Sequence, residues 1–571
     1  MKQTKLLLVA AITLVAFFTS CKKSTDNLTN AIPASAITVI HIDTKALLQK
    51  ADYKPLNNKI FKEALEEQKQ RMTGEKEVQL MAKIEELLKN PNNSGLDVIE
   101  DCFMYMDSMT MGIVWGVNDQ TKLKELLTKT FEMPEQLLQE EDGVTIIDMS
   151  RDGKIGWTKD KFLAIMYSNT AYAYRYSSAE MPDLKDLLKK QLKQSSSESI
   201  NSNKSFAEFM NNQKDISVFY SYDNAMAMWD STIGMMMGMG YYDDMASGVM
   251  GLFSKVKEDL KGIDAGGFIS FEKGEIVAEN KVYFATTEAE NRFKELSDKL
   301  VGEIKGDHMK YMAEKPVFLF AANLKGQGVY DYLDQLGVMD MITKEIGADL
   351  TEQGIDLKAL ISNVEGDMTI ALNALKSVTK KSKWSDYEYQ STYPEFAVFA
   401  DTKDAAPLWN LIKGKINEQK AQMAEHGAVD SMVVEVTPNM YSFQMDDNLT
   451  GYFGVNDNTF FITNREDITK ALGTAGTNND WASQGKGKVM FMYGNLGQLT
   501  QAIKAEMGES EPKLNEFVNE GFALLGDYIY TAEKDMTGKG KLEITDKSDN
   551  SLAVIVKFID KIITYAVEEN M

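Results

Sequence analysis

The chain repeatedly alternates apolar and polar residues over a short stretch and then changes to the spacing of an amphipathic helix. Four segments show this change most clearly, and they begin at Ile37, Ile216, Pro316 and Lys488. Alternation with period two is typical of a strand with one buried face, and a period near 3.6 is typical of a helix. Each segment therefore predicts a β-strand followed directly by an α-helix.

Longer stretches of the N-terminal part correspond in pattern to stretches of the C-terminal part. The segments that begin at Gly95, Gly112 and Ile155 correspond, in the same order, to those that begin at Gly354, Glu395 and Gly451. Such self-similarity indicates an internal repeat. We predict a tandem duplication, with a first half at residues 33–304 and a second half at residues 315–571.

Each half contains a polar stretch that is poor in bulky aliphatic residues, as expected of a loop. It covers residues 194–204 in the first half and begins at Gly473 in the second. We therefore predict a larger and a smaller module in each half, at 33–193 and 205–304, and at 315–472 and 486–571.

Turn signals separate many of the apolar runs. Asp152-Gly153 and Asp447-Asn448 are two examples, and such residues tolerate the backbone of tight turns between antiparallel strands. Helical patterns are interspersed, for example from Phe61 and from Val78. The pattern predicts an α+β fold with antiparallel sheets and with helices packed on one face.

The N-terminus has the organisation of a secretory signal. Lys2 and Lys5 precede an apolar run from Leu6 to Phe18, which is shorter than the about 20 residues of a membrane-spanning helix. Thr19, Ser20 and Cys21 then resemble a bacterial lipobox. We predict a signal peptide at 1–20, acylation of the Cys21 thiol, with palmitate as a typical acyl chain, and a tether at 21–32. An ordinary cleaved signal with an incidental cysteine is the alternative.

The composition of the chain excludes some binding partners and some classes of protein. The formal net charge is −23, so the chain lacks the basic surface that nucleic acid needs. Anionic headgroups also repel such a chain, so the lipid itself would hold it at the membrane. The chain has two cysteines, which rules out a disulfide scaffold. The second, Cys102, lies in an apolar run, and we predict that it is buried.

An acidic or amide residue follows several predicted strands. Asp43, Asp119, Asp223 and Asp401 form this series, and Asn323 and Asn495 occupy the same place in other segments. The series resembles a catalytic set, but asparagine is not an acid and caps helices well. We predict that these side chains cap the helices that follow.

Searches for other chemistry lead to no coherent site. Two S-x-x-K matches, at Ser254 and Ser377, occur without the K-T-G that accompanies them in penicillin-recognising enzymes. The calcium-like loop from Asp446 is flanked by strand patterns and is better explained as a hairpin. The methionine-rich segment from Ile233 favours packing over a Cu(I) site. We predict no catalytic residue, no cofactor and no metal site.

Aromatic residues beside polar ones are the best indication of binding, because aromatic faces with neighbouring carboxylates suit sugar rings. The candidate binding residues are Trp384, Tyr387, Tyr389, Tyr393, Tyr241 and Tyr242. A hairpin whose tyrosines pack on the core is the alternative.

The lipobox, the opening from Ala31 and the duplicated strand–helix pattern together resemble a family of Bacteroidota lipoproteins known as domain of unknown function 4836. This resemblance implies a cell-envelope location, as an outer-membrane lipoprotein, and no activity. We expect a non-enzymatic binding or assembly protein, which either binds a glycan, a peptide, an apolar ligand or an envelope protein or serves as a structural component without a small ligand. The alternative is a hydrolase of envelope polymers that uses a pair of carboxylates.

Overall fold

The computed structural model describes residues 26–52, 66, 74–150, 152–168, 170–171, 181–238, 245–352, 354–381, 388–425, 433–446, 449–474, 479–499 and 512–568. The chain forms two compact units. The first unit comprises residues 1–243, 260–289 and 546–571, and the second comprises residues 244–259 and 290–545.

In its described residues the first unit has ten strands, all paired antiparallel in the order β4-β5-β6-β7-β3-β2-β1-β8-β9-β10. Their bounds are β1 Thr38–Asp43, β2 Asp101–Met106, β3 Thr110–Gly116, β4 Leu138–Glu141, β5 Val144–Ser150, β6 Gly153–Trp157, β7 Lys161–Tyr167, β8 Ile216–Ser221, β9 Ile263–Glu272 and β10 Glu275–Phe284.

The described part of the second unit has ten further strands, again antiparallel, in the order β14-β15-β16-β17-β13-β12-β11-β18-β19-β20. Their bounds are β11 Phe318–Lys325, β12 Val364–Lys381, β13 Glu388–Thr402, β14 Val433–Thr437, β15 Met440–Asp446, β16 Leu449–Asn456, β17 Thr459–Thr463, β18 Met490–Asn495, β19 Leu525–Ala532 and β20 Gly538–Ile544. The predicted α+β class with antiparallel sheets is confirmed.

The two sheets have the same strand order when each strand of the first is matched to the strand ten positions later in the chain. The register agrees as well. Val39 of β1 lies opposite Tyr105 and Phe219, and Leu319 of β11 lies opposite Ala371 and Tyr493. Residues at matching register positions are called counterparts below.

Helices follow the strands in both units. Those of the first unit are α1 Asp26–Thr29, α2 Thr44–Ala51, α3 Glu75–Lys89, α4 Gln120–Glu125, α5 Leu184–Lys193, α6 Lys204–Met210, α7 Tyr222–Gly238 and α17 Ser551–Glu568. Those that lie wholly or mainly in the second unit are α8 Met245–Leu260, α9 Thr287–Leu300, α10 Gly326–Gln335, α11 Val338–Glu352, α12 Leu357–Asn363, α13 Ala406–Glu425, α14 Glu466–Ala471, α15 Ala482–Gly485 and α16 Pro512–Ala523. Among the described residues, no helix is both long and apolar enough to span a bilayer.

Each unit receives a helix from beyond the last strand of the other unit's sheet. Strand β10 belongs to the first unit, whereas most of the next helix, α9, belongs to the second. Strand β20 belongs to the second unit, whereas the next helix, α17, belongs to the first and packs on α2 and β9. The boundaries of the two packed units therefore differ from those of the two halves predicted from sequence. The predicted halves describe repeats along the chain rather than packing, and they stay a prediction.

A smaller apolar cluster, which includes Trp157 and Phe162, lies on one face of the first sheet. The main core lies on the other face. Phe103, Val114 and Leu163 on neighbouring strands are fully buried there, and they join Leu188 of α5 and Phe206 of α6 in one apolar cluster. The second unit repeats this arrangement with Leu319, Phe399, Phe461, Phe491 and Tyr493. In both sheets, alternate residues point to the opposite face, because successive side chains of a strand alternate.

Three of the six predicted helix caps are confirmed. Asp43 accepts a hydrogen bond from the N–H of Ala46, Asp119 from those of Thr121 and Lys122, and Asn495 from that of Gln498. The prediction was wrong for the other three, which bind elsewhere.

The first of these, Asp223, lies within α7 and accepts from the N–H of Gly262. Asn323 instead donates to Asp367, and Asp401 lies inside β13 and binds His308. Each of these polar residues lies near the end of a strand, as a capping residue does. Only contacts with distant parts of the chain show that it binds elsewhere instead of capping a helix.

Candidate functional site

A groove lined by methionines lies on the outer face of the first sheet, opposite the core. It encloses about 530 Å³, within the range of small-molecule sites. Its lining is strongly apolar and includes Met104, Met106, Met111, Met166 and Ile113. We call it the methionine groove. The four methionines are 37%, 37%, 38% and 52% exposed, so solvent reaches all of them.

A tight turn sets the register of two of these methionines. Between β2 and β3, Asp107 accepts hydrogen bonds from the N–H groups of Met109 and Thr110, at 2.8 and 2.6 Å. Burial raises the pKa of the Asp107 carboxyl, although these hydrogen bonds oppose the shift. The turn places Met106 directly opposite Met111 on the neighbouring strand.

A second set of contacts attaches β7 to the same turn. The hydroxyl of Ser168 donates to the carbonyl of Ser108 at 2.9 Å, and its N–H donates to the carbonyl of Met109 at 2.9 Å. Strand β7 therefore pairs with β3 so that Met166 lies opposite Met111. Three neighbouring strands thus present three methionines in one row.

The buried face beneath the groove is rigidly packed. Tyr105 donates a hydrogen bond from its hydroxyl to Gln191 of α5 at 2.5 Å. Its ring covers Gly112, where an added Cβ would lie 2.2 Å from a ring carbon. Because Tyr105 and Gly112 alternate with the groove residues, this packing also holds the groove floor in place.

One charged residue reaches the rim of the groove. Lys154 of β6 lines it, and its ammonium lies 2.7 Å from the carboxylate of Asp148. Lys154 lies opposite Ile165 of the core cluster, so its side chain and this ion pair project from the face opposite the groove methionines.

The counterpart face of the second sheet is also apolar. Ile370 and Leu372 are the counterparts of Met104 and Met106, and Phe396 is the counterpart of Met111. Phe318 and Ile370 are 43% and 39% exposed. Apolar residues at outer-face positions are therefore common to both units, but none of these three counterparts is a methionine.

Comparison with known proteins identifies the family of the chain. The family described as "Domain of unknown function (DUF4836)" matches residues 28–552. The chain belongs to this family. No curated protein matches it, and no solved structure does.

Most of the predicted site residues of this DUF4836 protein lie outside the described residues, namely Cys21, Trp384, Tyr387, Tyr241 and Tyr242. Tyr389 lies in β13, but its side chain is outside the described part. The side chains of most of the methionine-rich segment from Ile233 are outside it as well. The predictions about these residues stay predictions.

Tyr393 is the one predicted aromatic residue whose side chain is described. Its hydroxyl donates to Asp446 at 2.8 Å, and the ammonium of Lys380 lies 4.7 Å from its ring centroid. Lys380 and Asp446 also form an ion pair. Tyr393 thus joins three strands through a polar contact on a half-buried surface. Strands β15 and β16 pair antiparallel with Asp446 opposite Leu449, as the hairpin interpretation predicted.

The described residues contain no group of three or more His, Cys, Asp and Glu that could hold a metal ion. Two neighbouring carboxylates of the second unit are withdrawn from solvent, Asp367 fully and Asp401 partly. Asp367 accepts from the N–H groups of Lys305 and Gly306 and from Asn323, and Asp401 accepts from His308 and Thr459. Their oxygens are therefore used in holding the segment before β11 against the sheet.

Cys102 is buried and forms no disulfide, as predicted from its apolar surroundings. The four groove methionines were missed by the sequence analysis. The alternation in two of their three strands, Phe103-Met104-Tyr105-Met106 and Met111-Gly112-Ile113, places Met104 and Met106 on one face of β2 and was the available signal for three of the four.

Proposed function

We propose that the protein is a non-enzymatic, lipid-anchored protein of the cell envelope that binds an apolar ligand in the methionine groove. The single observation that carries the binding proposal is this exposed apolar cavity of about 530 Å³. Contiguous apolar surface of this kind is unusual unless it serves an interaction. Methionine side chains adapt to ligands of irregular shape, because they are unbranched and flexible.

The anchor is proposed on sequence grounds. The N-terminal signal pattern and the lipobox-like Thr19-Ser20-Cys21 support acylation of Cys21 and placement in the outer membrane, as in Bacteroidota lipoproteins. Metabolic labelling with an alkyne analogue of palmitate tests this. Wild-type protein should incorporate the label and partition with membranes. The Cys21→Ser variant should do neither, and label in that variant would contradict the proposal.

We also propose that the fold arose by tandem duplication. The matching strand order of the two sheets and the matching register of Val39 and Leu319 support it. A glycan, a peptide or an envelope protein stays an alternative ligand.

Binding in the groove can be measured with a dansylated fatty acid, whose fluorescence rises in an apolar environment. We expect wild-type protein to bind it and Met111→Lys to bind it weakly, because a charge would then lie in the groove. Leu137 is 42% exposed in the same unit but does not line the groove, so Leu137→Lys is the matched control. Absence of binding to the wild-type protein, or equal loss in both variants, would refute the proposal.

The hydrolase stays an alternative, with less support. It requires two carboxylates that face a substrate, whereas the oxygens of Asp367 and Asp401 are occupied by hydrogen bonds within the second unit. An assay of the protein on envelope polysaccharide would separate the two, since only a hydrolase releases reducing ends.

A further inference from the structure

The three methionines in one row have a geometry that apolar binding does not require. Met106 lies opposite Met111, and Met111 lies opposite Met166, on β2, β3 and β7. Residues directly opposite one another on antiparallel strands have Cβ atoms about 4.5–5.5 Å apart. A methionine side chain has three rotatable bonds, so the three sulfur atoms can converge above the middle strand.

From this arrangement we infer that Met106, Met111 and Met166 form a thioether site for Cu(I), with Met104 as a fourth sulfur at its edge. Thioethers are soft ligands and select soft ions such as Cu(I) over Mg²⁺ or Ca²⁺. All four side chains line the same cavity and are accessible from solvent. A thioether carries no proton, so metal uptake here releases none, in contrast to sites made of Cys or His.

The second sheet supports this assignment by contrast. Leu372 and Phe396 stand at the positions of Met106 and Met111, and Asn464 follows Thr463 at the position of Met166. That sheet keeps apolar residues at two of these positions without sulfur. At these three positions the first unit therefore differs from the second in carrying sulfur donor atoms, although methionines stand elsewhere on the outer face of the second sheet, for example Met368 and Met490.

The surroundings favour a soft ion over a hard one. The ammonium of Lys154 projects from the other face of the sheet, where it pairs with Asp148 at 2.7 Å, so it does not face the sulfur atoms. Within the described residues no cluster of His, Cys, Asp and Glu offers a competing site for harder ions. The inference does not depend on binding of an apolar ligand in the groove.

Silver ion is a suitable probe because it is soft and does not change oxidation state during the assay. The full chain carries two cysteines, so we would use the Cys21→Ser, Cys102→Ala variant, which leaves no thiol. With methionine methyl groups labelled with ¹³C, the signals of Met106, Met111 and Met166 should shift together and saturate at one equivalent of Ag⁺. Met341, which is 42% exposed in α11, should not shift over that range.

Substitutions then show whether Ag⁺ binding depends on the sulfur atoms or only on the apolar volume of the side chains. Met111→Leu should weaken Ag⁺ binding by about tenfold or more, the scale of loss found when groups around a metal are removed. Met341→Leu should leave Ag⁺ binding unchanged, because Met341 lies in α11 of the second unit and does not line the groove. A shift of Met341 together with the groove signals, or full Ag⁺ affinity in Met111→Leu, would overturn the inference. Failure of the fatty acid alone would refute only the proposed function.

Discussion

The Nε2 atom of His308 lies 2.9 Å from an oxygen of Asp401, which is 93 positions later in the chain. The imidazole also stacks on Phe399, with ring centroids 5.0 Å apart and an angle of 3° between the planes. The pair attaches the segment before β11 to strand β13. The counterpart of Asp401 in β3 is Gly116, which has no side chain to form such a contact. The first unit therefore attaches the segment before β1 by other contacts.

Asp401→Asn should destabilise the second unit. Burial tends to raise the pKa of Asp401, but hydrogen bonding and charge from His308, with the Thr459 hydroxyl, outweigh it and leave the pKa below its ordinary value. We expect the free energy of unfolding at neutral pH to fall by about 1–3 kcal/mol, measured by urea titration. Asp404→Asn is the control, because Asp404 caps α13 and asparagine caps equally well.

The same substitution should alter how the free energy of unfolding depends on pH in the acid range. A carboxyl whose pKa is lower in the folded state stabilises the fold above its unfolded pKa, and this stabilisation is lost as the pH falls through the folded value. Wild-type protein should therefore lose stability below about pH 4, and Asp401→Asn should lose less over that range. Equal slopes for the two proteins would contradict the role assigned to Asp401.

Gly112→Ala should be costly, although alanine is small. Its Cβ would lie 2.2 Å from the ring of Tyr105, whose hydroxyl is held by Gln191, so the ring has little freedom to move. We expect a loss of about 1–3 kcal/mol, as for other overpacked cores. Gly267→Ala in β9 is the matched control, because an added Cβ there meets no atom within 4 Å. Thermal unfolding would compare the two, and equal effects would contradict this packing.

Cys102 should be chemically inert in the folded protein. Burial, with a smaller contribution from the charge of Asp101, raises the pKa of its thiol to about 12. At pH 8 the thiolate, which is the reactive form, is therefore scarce. Iodoacetamide followed by peptide mass spectrometry should find Cys102 unmodified until the protein is unfolded in guanidinium. Rapid modification of the native protein would show that the strand opens.

Val554→Ala should weaken the packing of α17 in the first unit. Val554 is 5% exposed, whereas Ile563 on the same helix is 50% exposed. We expect a loss of about 1–2 kcal/mol for Val554→Ala and little change for Ile563→Ala. Hydrogen exchange of β9, on which α17 packs, should accelerate in the first variant only. Similar exchange in both would contradict this packing.

Much of the fold could be predicted from local patterns, and the groove could not. The alternation from Ile37 predicted β1 and the cap at Asp43, because both depend on neighbouring residues. The run around Cys102 is apolar on both faces of the strand, so periodicity alone does not tell which face packs against the core. The approach of Met166 to Met111 depends on pairing between strands far apart in the chain. The contact of His308 with Asp401 has no local signal at all.

The exchange of helices between the units has a consequence for biosynthesis. Ribosomes deliver the N-terminus first, and domains generally fold as they emerge. Here the first unit includes α17, which occupies residues 551–568 near the end of the chain. The first unit therefore cannot be completed until nearly the whole polypeptide has been synthesised, because α17 is made last. A nascent chain truncated before α17 would leave the surfaces of α2 and β9 uncovered.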